Sequence, residues 1–280
     1  MVALVLTILL TALLFLCFKE FSKRAINTQQ AITFNYLTAS ILGFLCCNIP
    51  ISINKIITAD WILPTIALGI FFVIMFNIMA ITTQKLGISI ASMASKISLI
   101  IPVFAALLLQ ENTDFSFVNG LGILLAIIAV YFTFKKEEKL EEPITIAVIL
   151  FFGAGILDMV LNYIQEDYLK DEDDFSQFII LVFFVAFLAG LLKIIYLKQK
   201  IQLKNIMAGI ALGVPNYLSI YFVLQALDQL GGIIVFPVLN IGVVLLSSIL
   251  SFMIYKEYLS KLNWSGIALA CISIILILVF

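Results

Sequence analysis

Residues 86–109 read LGISIASMASKISLIIPVFAALLL, an apolar run with a single lysine, Lys96, near its middle. A run of this length crosses the hydrocarbon of a bilayer as one helix, for which about 20 apolar residues suffice. A lysine at that depth costs at least ~2.5 kcal/mol unless it meets water, a carboxylate or a ligand. The stretch therefore sets two expectations at once: the chain is embedded in a membrane, and it handles something polar there.

The composition agrees. Of 280 residues, 63% are hydrophobic and only 12% are charged, against about a quarter charged in soluble domains. The net charge of −1 says nothing about nucleic acid, but no basic stripe is present to hold phosphates, so no nucleic-acid partner is expected. Histidine is absent, which removes the commonest general base, the commonest zinc ligand and the Ser-His and Cys-His nucleophile pairs. Cys17, Cys46, Cys47 and Cys271 all lie in apolar runs with no metal-site spacing and read as packing residues. No Gly-x-x-x-x-Gly-Lys-Ser/Thr loop is present, so ATP hydrolysis is not expected. An enzyme, a cofactor and a metal are thus all unexpected. Residues 1–18 read as a retained first helix, since nothing basic precedes them and no small-residue cleavage site follows.

Ten apolar runs qualify as spans: 2–18, 31–51, 61–83, 86–109, 117–134, 144–165, 175–197, 206–227, 231–254 and 263–280. They are continuous rather than alternating, which selects helices over the strands of an outer-membrane barrel. The chain also repeats itself. Ile66-Ala67-Leu68-Gly69 returns as Ile210-Ala211-Leu212-Gly213, and Leu86-Gly87 as Leu230-Gly231, both 144 positions on. Glu111 and Gly120 return as Glu257 and Gly266, 146 positions on. Five helices per copy is an odd number, so the second copy enters from the opposite side. The expected fold is all-α and integral to the membrane: ten transmembrane helices in two inverted five-helix repeats, residues 1–140 and 141–280. Many secondary transporters use such inverted repeats for alternating access.

The succession Leu86-Gly87, Pro102, Glu111, Gly120, matched by Leu230-Gly231, Pro237, Glu257, Gly266, resembles the drug/metabolite transporter superfamily, specifically its EamA-like members. The resemblance covers the whole chain as two tandem five-helix units. It implies a transporter fold, with substrates that across the superfamily include amino acids, drugs, nucleotide sugars and sugar phosphates. It also implies cytoplasmic termini. The charges point the other way. Counting Lys193 at the end of the seventh span, the loops after the odd-numbered helices hold thirteen Lys and Arg residues, those after the even-numbered helices only Lys55 and Lys170. The positive-inside rule then places the odd loops in the cytoplasm and both termini outside.

The polar residues within the spans define the expected site. Ser89, Ser92 and Lys96 share one side of the fourth helix. Asn240 is the counterpart of Lys96 in the second copy, so the two are expected to approach each other near the midplane. Asn77 and Gln84 on the third helix, Asn35 and Tyr36 on the second, and Asn216, Tyr217, Tyr221, Gln225 and Asp228 on the eighth are expected to face inward, as are Asp158, Asn162 and Gln165 on the sixth. Substrate binding is assigned to Lys96, Asn240, Asn77, Asn216, Tyr217, Tyr221 and Asn35, and coupling or an ion pair to Asp158 with Lys96. Gly209 and Gly213 form a small-xxx-small pair suited to close helix packing. Glu111 and Glu257 read as structural caps or ion-pair partners, and Pro102, Pro215 and Pro237 as helix bends.

These readings converge on a secondary transporter, an exporter, of a small polar metabolite such as an amino acid or related organic anion across the cytoplasmic (inner) membrane. Exchange or the proton gradient would drive it, with Lys96 or Asp158 as proton carrier, or with Lys96 as a fixed charge for an anionic group. Its partners are membrane lipids, the small-molecule substrate and protons, and a monomer or homodimer suffices. A flippase for a lipid or lipid-linked substrate is the alternative, given 24 phenylalanines that could line a lipid groove.

Overall fold

The computed structural model describes residues 1–46, 59–102, 117–134, 144–169, 172–257 and 260–279. Among these the chain is helical, with no strand: α1 (Val2–Lys23), α2 (Thr28–Cys46), α3 (Ile62–Leu86), α4 (Ile88–Ile97), α5 (Phe117–Phe134), α6 (Thr145–Tyr168), α7 (Glu172–Tyr196), α8 (Leu203–Leu230), α9 (Gly232–Leu250) and α10 (Lys261–Val279). A π-helical turn, Ser251–Tyr255, continues α9. Six helices, α1, α3, α6, α7, α8 and α9 with its π turn, are long and apolar enough to cross a membrane. The molecule is an all-α membrane protein.

Several helices outrun the apolar runs that announce them, because hydropathy marks only the part that crosses hydrocarbon. Short polar side chains set their starts. The Gln30 N–H donates to Asn27 Oδ1 (3.1 Å) ahead of α2. At α10, the Asn263 N–H donates to Ser260 Oγ and the Ser260 N–H to Asn263 Oδ1 (both 3.1 Å), a reciprocal cap.

The chain divides into two compact units, each drawn from both halves of the sequence. The first comprises Met1–Lys19, Ile78–Ile156 and Leu218–Phe280; the second comprises Glu20–Asn77 and Leu157–Tyr217.

In the second unit, glycines bring backbones together. A Cβ on Gly209 would lie 2.6 Å from the Ala31 carbonyl oxygen, and one on Gly213 2.7 Å from that of Asn35, so α8 runs parallel to α2 at close range. This is the packing expected of the small-xxx-small pair. The first-copy counterpart of Gly213 acts likewise: a Cβ on Gly69 of α3 would lie 2.9 Å from the Val182 carbonyl oxygen of α7. Gly213 meets Thr38, and Val182 stands 144 positions after Thr38. The two Ile-Ala-Leu-Gly copies thus make equivalent contacts. Helices α2 and α7 run antiparallel, with Gly43 against Ile180 and Gly190 against Thr33. The core holds Tyr36 between Phe76 and Phe183, with ring centroids 5.4 and 5.9 Å away.

In the first unit, α4, α5, α9 and α10 surround a core of Met93, Ile97, Ala129, Val244, Ile267 and Ala270. Ser273 Oγ donates to the Gly122 carbonyl (2.7 Å) and Asn263 Nδ2 to the Phe132 carbonyl (3.2 Å), so α5 and α10 are antiparallel. Helix α1 runs parallel to α9, with Ile8 beside Gly242 and Tyr255 Oη donating to the Leu16 carbonyl (3.5 Å).

One span departs from expectation. The run 86–109 is not one continuous helix: α4 ends at Ile97, a turn occupies Ser98–Leu99, and helix resumes at Ile100–Pro102. Residues 103–109 and Glu111 lie outside the described residues. The cause is Pro102, which has no N–H to give the Ser98 carbonyl and whose ring crowds it. The Ile101 N–H takes that carbonyl instead (2.9 Å), one residue early. Ser98 Oγ donates back to the Ser95 carbonyl (2.7 Å). Gly155 of α6 is pressed against the turn, since a Cβ there would lie 2.8 Å from the Ser98 carbonyl oxygen. Pro215 and Pro237, by contrast, are accommodated inside α8 and α9.

Candidate functional site

Helices α4 and α9 begin in the same way. Gly87 (φ 101°, ψ 162°) and Gly231 (φ 74°, ψ 159°) precede them, both in a region open essentially to glycine alone. The two helices then pack antiparallel. Ile88 lies beside Glu257 at one end, and Met93 and Ile97 meet Val244 farther along.

A polar seam follows this pair. At its end, Glu257 Oε2 accepts the Ile88 N–H (2.9 Å) and the Ser251 hydroxyl, while Oε1 pairs with Lys19 Nζ at 2.5 Å. Glu257 is thus both a cap and an ion-pair partner, as its place at the loop edge suggested. Next come Ser89 and Ser92 on α4 and Ser247 and Ser248 on α9, all buried. Ser92 Oγ donates to the Ser89 carbonyl (3.1 Å), whereas the hydroxyls of Ser89, Ser247 and Ser248 meet no partner in the structure. Buried hydroxyls are normally satisfied by protein or water, so these suit a hydrated or ligand-bearing seam. Lys96 is half-buried one turn beyond Ser92, about 12 Å along α4 from Ile88 at 1.5 Å per residue. Asn240 is buried one turn from Val244, and its Nδ2 donates to the Phe236 carbonyl (2.9 Å). Lys96 and Asn240 therefore belong to helices that pack together, each within a turn of the shared core. The sequence reading missed Ser247, Ser248 and Ser251, although three serines spaced one and three apart inside an apolar run were a visible signal.

The other expected residues are distributed differently. Asn35, Asn77, Asn216, Tyr217 and Asp158 fall in the second unit, Lys96, Asn240 and Tyr221 in the first. Asn35 is fully buried on α2, and neither its amide nitrogen nor its oxygen is bonded in the structure. Asn77 Nδ2 is occupied by the Val73 carbonyl (2.7 Å) and Tyr36 Oη by the Phe72 carbonyl (3.0 Å). Gln84, placed on the sequence beside Asn77, instead donates to the Phe18 carbonyl (3.1 Å). Asp158 is half-buried, and Asn162 is exposed rather than inward.

Helix α8 divides the residues expected to share its face. Tyr221, Gln225 and Asp228 are exposed, while Asn216 is buried and Tyr217 half-buried. Gly209 and Gly213 pack on α2, and the Tyr217 ring lies against Gly43 of the same helix.

No family model matches the chain. A Haemophilus influenzae protein, described as uncharacterized, is 30% identical over 262 residues, covering 88% of this chain and 86% of its own. This chain belongs to that protein's family. The match spans both halves of the chain. A crystal structure described simply as that of a protein aligns over 98% of this chain and 94% of its own, with a TM-score of 0.57 at 14% identity. That likeness is one of fold.

Proposed function

We propose that this protein is a secondary transporter, an exporter, of a small polar metabolite such as an amino acid or related organic anion, acting in the cytoplasmic membrane. The carrying observation is the buried polar seam of α4 and α9, which leads from Glu257 past unsatisfied hydroxyls to the level of Lys96 and Asn240. Ten spans in two inverted repeats, of the drug/metabolite transporter type, are the architecture that goes with this reading. Three observations support it: equivalent contacts by Gly69 and Gly213, matching backbone at Gly87 and Gly231, and, within each unit taken by itself, relative helix directions that fit alternation. Contacts between loops support one shared side for the odd-numbered loops. Within the second unit, the Asn27 N–H donates to Asn205 Oδ1 (3.0 Å) and Asn205 Nδ2 to Gln30 Oε1 (2.8 Å), joining the loops after α1 and α7.

Lys96 holds the anionic group of the substrate or carries a proton, and Asn240 and the serines supply neutral hydrogen bonds. Cells expressing the wild type, Lys96→Ala or an empty vector, at matched membrane levels, are compared for extracellular metabolites. One polar class accumulates outside with the wild type and falls to the empty-vector level with Lys96→Ala. Equal profiles from wild type and Lys96→Ala would remove Lys96 from the pathway.

A lipid flippase is the second reading, favoured by an apolar cavity of about 440 Å³ lined by Ile8, Ile234, Pro237, Val238, Ile241 and Ile275. Purified protein that moves labelled lipid and no soluble metabolite would establish it instead.

A further inference from the structure

The transport reading leaves unexplained why one carboxylate joins three elements so far apart in sequence. Glu257 holds Lys19 at the end of α1, the first N–H of α4 at Ile88, and Ser251 in the π turn after α9. Its seat is made to measure. Gly87 adopts φ 101°, and a Cβ there would stand 2.8 Å from Glu257 Oε2. Lys256, immediately before Glu257, takes the left-handed conformation (φ 53°) that stops the π turn and aims the next residue back at α4. A charge-assisted hydrogen bond to a helix N-terminus together with an ion pair is among the stronger polar contacts available to a side chain. The Glu257 side chain is only 19% exposed and that of Lys19 20%, so solvent screens the pair incompletely.

The cluster sits at the mouth of the seam. Ser251 shares its face of α9 with Ser247 and Ser248, one turn deeper, and Ile88 is followed directly by Ser89. Anything entering the seam from this end passes Glu257. The second copy of the sequence does not supply the same charges: 144 positions after Lys19 stands Tyr163, followed by Glu166, Asp167, Asp171, Glu172, Asp173 and Asp174, with Lys170 the one basic residue among them. The position that corresponds to Lys19 in the second copy thus holds no lysine, and Glu111, the counterpart of Glu257, lies outside the described residues.

We infer that Lys19, Glu257 and the Gly87–Ile88 turn form a latch that closes the seam at the end carrying the lysine-rich loops, and that the latch must release for this end to open. The inference rests on the transport reading, and its test separates the two. Asn240→Cys is introduced into protein whose four native cysteines are serine, and its labelling by a membrane-impermeant maleimide is timed from each face of oriented vesicles. Glu257→Gln keeps an acceptor for Ile88 and Ser251 but loses the ion pair. Lys19→Gln leaves the whole carboxylate cap in place and serves if Glu257→Gln fails to fold. Each variant labels roughly tenfold faster from the lysine-rich face and more slowly from the other, the size expected when one charge-assisted contact is lost. Labelling rates unchanged by both variants would overturn the latch while leaving the pathway intact. No labelling of position 240 from either face, in any variant, would overturn the pathway and the latch with it.

Discussion

The helices that start at Gly87 and Gly231 begin alike and end differently. Both starts use a glycine-only backbone conformation, yet a carboxylate presses on Gly87, while among the described residues nothing stands within 4 Å of a Cβ on Gly231. Farther along, α4 breaks at Ser98, just past Lys96, while α9 runs from Gly232 through Asn240 to a π turn ending at Tyr255. The placement of one proline accounts for the second contrast. Pro102 takes the Ser98 carbonyl out of the ladder and a turn forms there, whereas Pro237 is accommodated inside a continuous α9. Two copies of one motif thus give a continuous helix and a jointed one, and the joint lies beside the lysine.

Substituting the two glycines should expose the difference most strongly. Gly87→Ala must strain the backbone, by ~1–3 kcal/mol, and also dislodge Glu257 from Ile88, adding ~1–3 kcal/mol for the buried groups left unpaired. Gly231→Ala carries only the backbone cost. Unfolding in detergent should therefore show Gly87→Ala as the more damaging by at least ~1 kcal/mol. Equal losses would mean that the Glu257 seat contributes nothing.

A smaller effect is expected at the joint. Pro102→Ala returns an N–H to the Ser98 carbonyl and lets α4 run on, which should raise stability by about 1 kcal/mol. If the joint serves transport, export of the accumulated metabolite should fall even as the unfolding temperature rises. A fall in both would show that Pro102 is needed simply to shape the Ser98–Ile101 turn that packs against Gly155.

How much of this was legible in the sequence varies with the kind of signal. The glycine motifs were legible, since Gly69, Gly213, Gly87 and Gly231 act through backbone geometry that their spacing records directly. Continuous apolar runs gave the helices. The break in α4 was hidden because hydropathy does not change at Ser98, and the proline that causes it stands four residues later. Burial on α8 follows a different signal from its polar stripe: Gly209 and Gly213 let α2 approach, whereas Tyr221, Gln225 and Asp228 are exposed. Lys19 and Glu257 are 238 positions apart, and no local pattern announces their pairing.

The most direct test asks whether the middle of the seam is reached from both sides of the membrane. Cysteine placed at Lys96, and separately at Asn240, in the cysteine-free protein is exposed to an impermeant maleimide from each face in turn, with Ala129, buried in the α4–α9 core, as the unreactive control. Alternating access predicts that both positions label from both faces while Ala129→Cys labels from neither. Labelling from one face alone, or from none, would contradict a transport pathway along α4 and α9.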